Sequence, residues 1–145
     1  MLRITKKVEY ALMALKFMAK KSDGALTSAR EICEEFHIPF DTTAKVLQTM
    51  NNQGLLTSVK GLKGGYVLEK KLEEISYMDV VKIVEGVEAD SFCQNHKGIC
   101  DLYKSCNIVS PIDNLNRKVQ DYLSQLNLGE LLMNDSAPEV MEVHK

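Results

Sequence analysis

The chain has 145 residues, 45% hydrophobic and 26% charged, which suits one globular domain with a real core. No apolar run approaches the roughly eighteen residues of a membrane span, and the start Met1–Lys7 is not followed by an apolar signal core. These features predict a cytoplasmic protein with no membrane partner, and four cysteines in a reducing compartment argue against a disulfide framework.

The net charge of −2 is unevenly spread. Residues 1–71 carry 12 Lys+Arg against 7 Asp+Glu, a balance of +5, whereas residues 72–145 carry 6 against 13, a balance of −7. A basic front joined to an acidic back suits a nucleic-acid-binding part attached to something else.

In chain order, Val8, Ala11, Leu12, Leu15, Met18 and Ala19 recur at helical spacing and predict a first amphipathic helix ending near Ser22-Asp23-Gly24. Ser28-Ala29-Arg30-Glu31 has the form of a capping box and opens a second helix. That helix has Ala29, Ile32, Cys33 and Phe36 on its apolar side, with Cys33 expected as a packed core thiol. His37-Ile38-Pro39 interrupts, because a residue before proline is pushed out of the helical region. His37 reads as a turn residue.

A third helix is expected from about Phe40 to Gln53, with Ala44, Val46, Leu47 and Met50 buried and Gly54 as its left-handed stop. Two short helices across a tight turn predict a helix-turn-helix. After Gly54 the period changes. Leu55, Thr57 and Val59 alternate with Leu56, Ser58 and Lys60, and Tyr66 and Leu68 follow the glycine-rich loop 61–65, so a hairpin wing is expected.

Ser76 caps a further helix filled by Val80, Val81, Ile83 and Val84 and closed by Gly86. Residues 87–109 have no clean period and hold Cys93, Cys100 and Cys106. Pro111 suits a first helical position, and Ile112, Leu115, Val119, Tyr122, Leu123 and Leu126 stripe the long helix after it.

The fold class expected is mainly α with a small β-hairpin wing: a winged helix-turn-helix over 1–86 and a cysteine-bearing loop over 87–109. A dimerisation helix and short terminal helix follow over 110–132, and then a flexible tail over 133–145.

The order of capped helix, turn, helix, glycine stop and glycine-rich hairpin points to double-stranded DNA. Side chains near the start of the third helix, Asp41, Thr42, Thr43 and Lys45, with Gln48 one turn on, are placed to meet a major groove. Lys60 and Lys63 in the wing can neutralise phosphates or enter the minor groove. Ser28 heads a helix whose N-terminus can hold a phosphate.

Cys93, Cys100 and Cys106, separated by six and five intervening residues, offer soft thiolates to an iron–sulfur cluster or zinc. A thiol switch without metal is the remaining reading. His96 lies three residues after Cys93, a spacing zinc also accepts. No dinucleotide loop, Cys-x-x-Cys pair or Ser/His/Asp set suggests an enzyme.

Three runs resemble the IscR/NsrR type of iron–sulfur winged-helix transcription regulators. These are Thr5-Lys6-Lys7-Val8-Glu9-Tyr10-Ala11-Leu12, the wing run from Gly54 to Leu68, and Ile75 to Gly86, followed by the spaced cysteines. The resemblance spans roughly residues 1–132. It implies a homodimer with two operator-reading heads, the long C-terminal helix as the dimer seam, and an iron–sulfur cluster on the loop before it. The cluster would sense redox state, nitric oxide or iron and cluster supply. It further implies Glu9 as a fourth ligand donated from the other subunit, with a 4Fe–4S cluster favoured over 2Fe–2S. The chain departs from that family at Val109, where IscR-like members often carry a histidine, and at Pro39 and Thr42-Thr43 in the recognition helix.

Overall fold

The computed structural model describes residues 4–86 and 100–134. The expected tail beyond Asn134 lies outside them, as do Cys93 and His96.

Helix α1 (Lys6–Ala19) starts on Thr5, whose hydroxyl accepts from the Val8 N–H at 3.4 Å. It buries Val8, Ala11, Ala14, Leu15 and Met18 on one face. Helix α2 (Ala29–Phe36) starts on Ser28, whose hydroxyl accepts from the Glu31 N–H at 3.1 Å. The expected reciprocal half of that box is replaced: the Glu31 carboxylate accepts from Lys21 instead. The Lys21 ammonium also lies 5.0 Å from the centroid of the Phe17 ring, against which Phe36 packs edge-on. The second helix is thereby clamped to the end of the first.

His37, the one non-glycine residue with positive φ among the described residues, ends α2 in the left-handed region (φ 53°). Chain reversal there is set by His37 itself, one residue earlier than the proline argument required. Helix α3 (Phe40–Asn52) follows at once and buries Thr43, Val46, Leu47 and Met50.

Strands β1 (Leu56–Val59) and β2 (Gly65–Leu68) pair antiparallel, Leu56 opposite Leu68 and Val59 opposite Gly65. The expected alternation is not what the hairpin shows. Leu55 and Leu56 are both buried, while Thr57, Ser58 and Val59 are all exposed. On β1 only the base is buried, while β2 is half-buried throughout and packs Tyr66 and Leu68 against the core. Thr27 bridges to Tyr66, and a Cβ on Gly65 would stand 2.8 Å from the Thr27 carbonyl oxygen, so glycine is what lets the two backbones meet.

A 3-10 turn (Leu72–Glu74) leads to α4 (Tyr77–Glu85), capped by Ser76 and Asp79 reciprocally and ended by Gly86 at φ 67°. Helix α5 (Val109–Gln125) begins two residues earlier than its proline suggested. Pro111 sits at the third helical position, still within the first turn, where its missing N–H has no intrahelical acceptor to lose. Helix α6 (Leu128–Met133) closes the description.

The core is one cluster in which α1 packs on α3 and α4, with Leu72, Ile75, Leu123 and Leu128 brought in from the second half. Each such fully buried aliphatic side chain contributes about 1.5–3 kcal/mol relative to exposure. Backbone bonds fix the junction: the Tyr77 N–H donates to the Leu126 carbonyl at 2.9 Å and the Leu128 N–H to the Ile75 carbonyl at 2.8 Å. The C-terminal end of α5 is thus tied to the head, while Leu115 and Tyr122 on the same helix stay exposed.

Candidate nucleic-acid interface and cysteine site

Helix α3 buries positions 43, 46, 47 and 50, so its opposite face turns outward. Asp41, Lys45 and Gln48 are exposed there, and Thr42 is half-buried at its edge. Thr43 corrects the sequence-based expectation. It is fully buried, and its hydroxyl donates to the Pro39 carbonyl at 2.8 Å. A side chain committed to the helix start and sealed in the core does not reach a base. Phe40, missed from sequence, is 52% exposed at the first position of the same helix. Spacing gives no signal for it, because positions 40, 43, 47 and 50 share one helical stripe and would place Phe40 on the packed side.

The wing sets Lys60 and Lys63 in solvent on either side of Gly61 and Leu62. Ser28 is half-buried, and its hydroxyl serves the Glu31 N–H as a cap. Arg30, Cys33, Glu34, His37 and Phe40 line a shallow depression of about 470 Å³ between α2 and the start of α3. Cys33 is therefore half-buried at a surface rather than a core thiol. On the eight-residue α2 only Ile32 points fully inward, and the cysteine falls at the edge of the packed face.

Cys100 is exposed and Cys106 half-buried, both as free thiols on the segment entering α5. Among the described residues no three His, Cys, Asp or Glu side chains gather as a metal site. A complete donor set from this chain requires Cys93, which lies outside those residues. Two thiols with five residues between them, beside the start of a helix, fit a soft-metal or cluster loop in donor chemistry. Glu9 lies half-buried in the first turn of α1, where its carboxylate accepts from Lys6 Nζ at 2.8 Å. That hydrogen bond and the adjacent negative charge hold the Lys6 ammonium above its ordinary value. In α4, burial pushes the Tyr77 phenol up.

The root of the cysteine segment is tied to the same end of α1. The Thr5 hydroxyl donates to the Glu85 carboxylate, one residue before Gly86. Thr5, Val8, Glu85, Asn116 and Val119 share a cleft of about 210 Å³ where α1, α4 and α5 converge. Beyond that cleft on α5 and its approach, Ile108, Leu115 and Tyr122 are 54%, 56% and 65% exposed, with Val119 at the cleft's rim 43% exposed. Steps of seven, four and three residues put them on one helical stripe.

A helix-turn-helix with an exposed recognition face and a lysine-bearing hairpin defines the class of winged-helix DNA-binding proteins. Similarity to solved structures agrees. Over 92% of this chain and 98% of the other, it is 24% identical, with a TM-score of 0.66, to CymR (YrzC), the global cysteine regulator of B. subtilis. It is 28% identical over 90% of this chain and 96% of the other to the oxidised form of Staphylococcus aureus CymR, with a TM-score of 0.63. With T. potens IscR it shares 19% identity and a TM-score of 0.65 over 91% of this chain and 87% of that one. The family model of Rrf2, described as an iron-dependent transcriptional regulator, matches residues 4–134, and the chain belongs to that family. Rrf2 members are DNA-binding transcription regulators rather than enzymes. Among the described residues no helix is long and apolar enough to cross a membrane.

Proposed function

We propose that the protein is a homodimeric repressor. It binds double-stranded operator DNA through α3 and the wing, and an iron–sulfur cluster held on its cysteine segment governs that binding. The observation that carries the DNA-binding part is the outward face of α3, with Asp41, Thr42, Lys45 and Gln48, set beside the solvent-exposed Lys60 and Lys63 of the hairpin. In this reading α3 lies in the major groove. Gln48 can pair with adenine, the Thr42 methyl can meet thymine, and Lys45 can meet phosphate. The wing reaches the next minor groove, and the Ser28 end of α2 faces the backbone.

Cys93, Cys100 and Cys106 would hold the cluster, with Glu9 of a second copy as the fourth ligand and a 4Fe–4S form favoured by the three-thiolate, one-carboxylate set. Such a cluster would supply a redox- and nitric-oxide-reactive iron centre when bound. The chain's own contribution is positional. Glu9 starts α1, Thr5 ties that start to Glu85 at the root of the cysteine segment, and α1 packs directly on α3. A change at the cysteine segment therefore has a short packed route to the recognition helix. The exposed stripe on α5 supports a seam between two copies. A second reading, with the same cysteines as a thiol switch or structural zinc site, is favoured by the likeness to a cysteine regulator.

Anaerobic purification from iron-replete cells separates the two readings. Visible absorbance with iron and acid-labile sulfide is expected, bleached by Cys100→Ala or Cys106→Ala and altered in spectrum or lifetime by Glu9→Ala. Colourless protein without iron or sulfide transfers the cysteines to the second reading. For DNA, duplex binding should weaken steeply as salt rises. Failure of the wild-type chain to bind any duplex from a random pool removes the regulator reading.

A further inference from the structure

The wing tip carries an apolar side chain with no partner in the fold. Leu62 is fully exposed, at 110% of the reference area, and is the most exposed large apolar residue among those described. Its placement is built into the turn. The Gly64 N–H donates to the Gly61 carbonyl at 3.0 Å and closes four residues into a tight reversal. Gly61 has φ 126°, which side chains rarely adopt, and a Cβ on Gly64 would stand 2.2 Å from the Val59 carbonyl oxygen. The two corners therefore fall to Leu62 and Lys63. Val59, where the hairpin leaves the sheet, is 46% exposed behind them. The tip is an apolar prow of Val59 and Leu62 with a lysine on each side of Gly61-Leu62.

That chemistry matches a duplex minor groove. Its rims are phosphates, which suit Lys60 and Lys63. Its walls are deoxyribose C–H groups, which suit an isobutyl side chain, and its width of about 6 Å admits one such chain. On its floor, A·T pairs present only acceptors, whereas a G·C pair adds the guanine 2-amino group. Leucine has no acceptor to satisfy that amino group and would strip it of water.

We propose that Leu62 seats in the minor groove beneath the wing and reads its floor by exclusion, specifying A·T against G·C at that step. The inference rests on the operator-binding reading and adds a specificity residue to it.

The test uses the full-length wild-type chain and a duplex recovered by selection from a random-sequence pool. Each A·T pair is replaced singly by G·C and by inosine·cytosine, which shows the G·C face in the major groove but lacks the 2-amino group. At a step outside the α3 contact, G·C should weaken binding about tenfold, the usual scale for one mismatched pair. Inosine·cytosine at that step should leave affinity close to wild type. In Leu62→Ala the G·C penalty there should fall to about threefold or less, with the salt slope kept because Lys60 and Lys63 remain. Leu62→Met, which keeps apolar bulk, should retain the penalty. Leu62 is fully exposed, so none of these variants removes core packing.

The proposal is overturned if no step separates G·C from inosine·cytosine, or if Leu62→Ala keeps the whole penalty. Either result leaves operator binding itself intact. Absence of any wild-type binding overturns both.

Discussion

Thr43 and Lys45 lie two positions apart on α3 and do opposite work. Thr43 occupies the phase of the buried stripe and donates its hydroxyl to the Pro39 carbonyl, whereas Lys45 stands in solvent on the face proposed to read DNA. Thr43→Val keeps the shape and removes one of two donors to the Pro39 carbonyl, which still accepts from the Thr43 N–H at 3.2 Å. It should cost about 0.5–1.5 kcal/mol of stability and leave the base preference unchanged. A denaturant titration beside a binding-site selection checks both halves, and an altered consensus would return Thr43 to the DNA surface. Lys63→Ala should weaken binding to all duplexes about equally and lower the salt slope by about one. A slope equal to wild type would show that Lys63 touches no phosphate.

The capped helices and the wing carry their own consequences. Ser28 closes the start of α2 through the Glu31 N–H, and Glu31 reaches Lys21 rather than the cap. Ser28→Ala should therefore lose the full value of a helix cap, about 1 kcal/mol, read as a lower unfolding midpoint. Ser28→Asp should recover most of it. If both variants unfold with the wild type, the cap is not what holds α2. The wing is more exacting. Gly64→Ala forces a Cβ against the Val59 carbonyl, so the tip must open. Because the 61–64 turn carries no core residue, global stability should change little while duplex affinity drops at least as far as for Lys63→Ala. Equal affinity for Gly64→Ala and wild type would mean that the turn geometry is irrelevant to binding.

At the scale of the molecule, α5 has two unlike halves of its surface. Leu123 is buried in the head and Leu126 packs against it, yet Leu115 and Tyr122 stay exposed and Val119 stands at the rim of the α1–α4–α5 cleft. A stripe of this kind in water is stable only when covered, and a second α5 is the proposed cover. Leu115→Glu with Tyr122→Glu should give a folded monomer by sedimentation, with far-UV circular dichroism preserved and operator affinity sharply reduced. A dimer that survives both charges places the seam elsewhere.

Much of this architecture was legible in the chain because periodicity, caps and glycine stops are local properties. The change from helical spacing to strand after Gly54, the Ser28 and Ser76 caps, and the Gly86 stop each follow from residues a few positions apart. Phase also decided more than polarity: positions 43, 46, 47 and 50 form an i, i+3, i+4, i+7 stripe, so the burial of Thr43 follows from its spacing despite its hydroxyl. What only the tertiary structure decided depends on distant partners. These are the diversion of Glu31 to Lys21, the tie of Thr5 to Glu85, the exposure of the distal strand and the edge position of Cys33. The division of the α5 stripe between head and solvent belongs with them. A single apolar stripe looks the same whether it meets its own core or another chain, because burial is a relation between surfaces that only packing can assign.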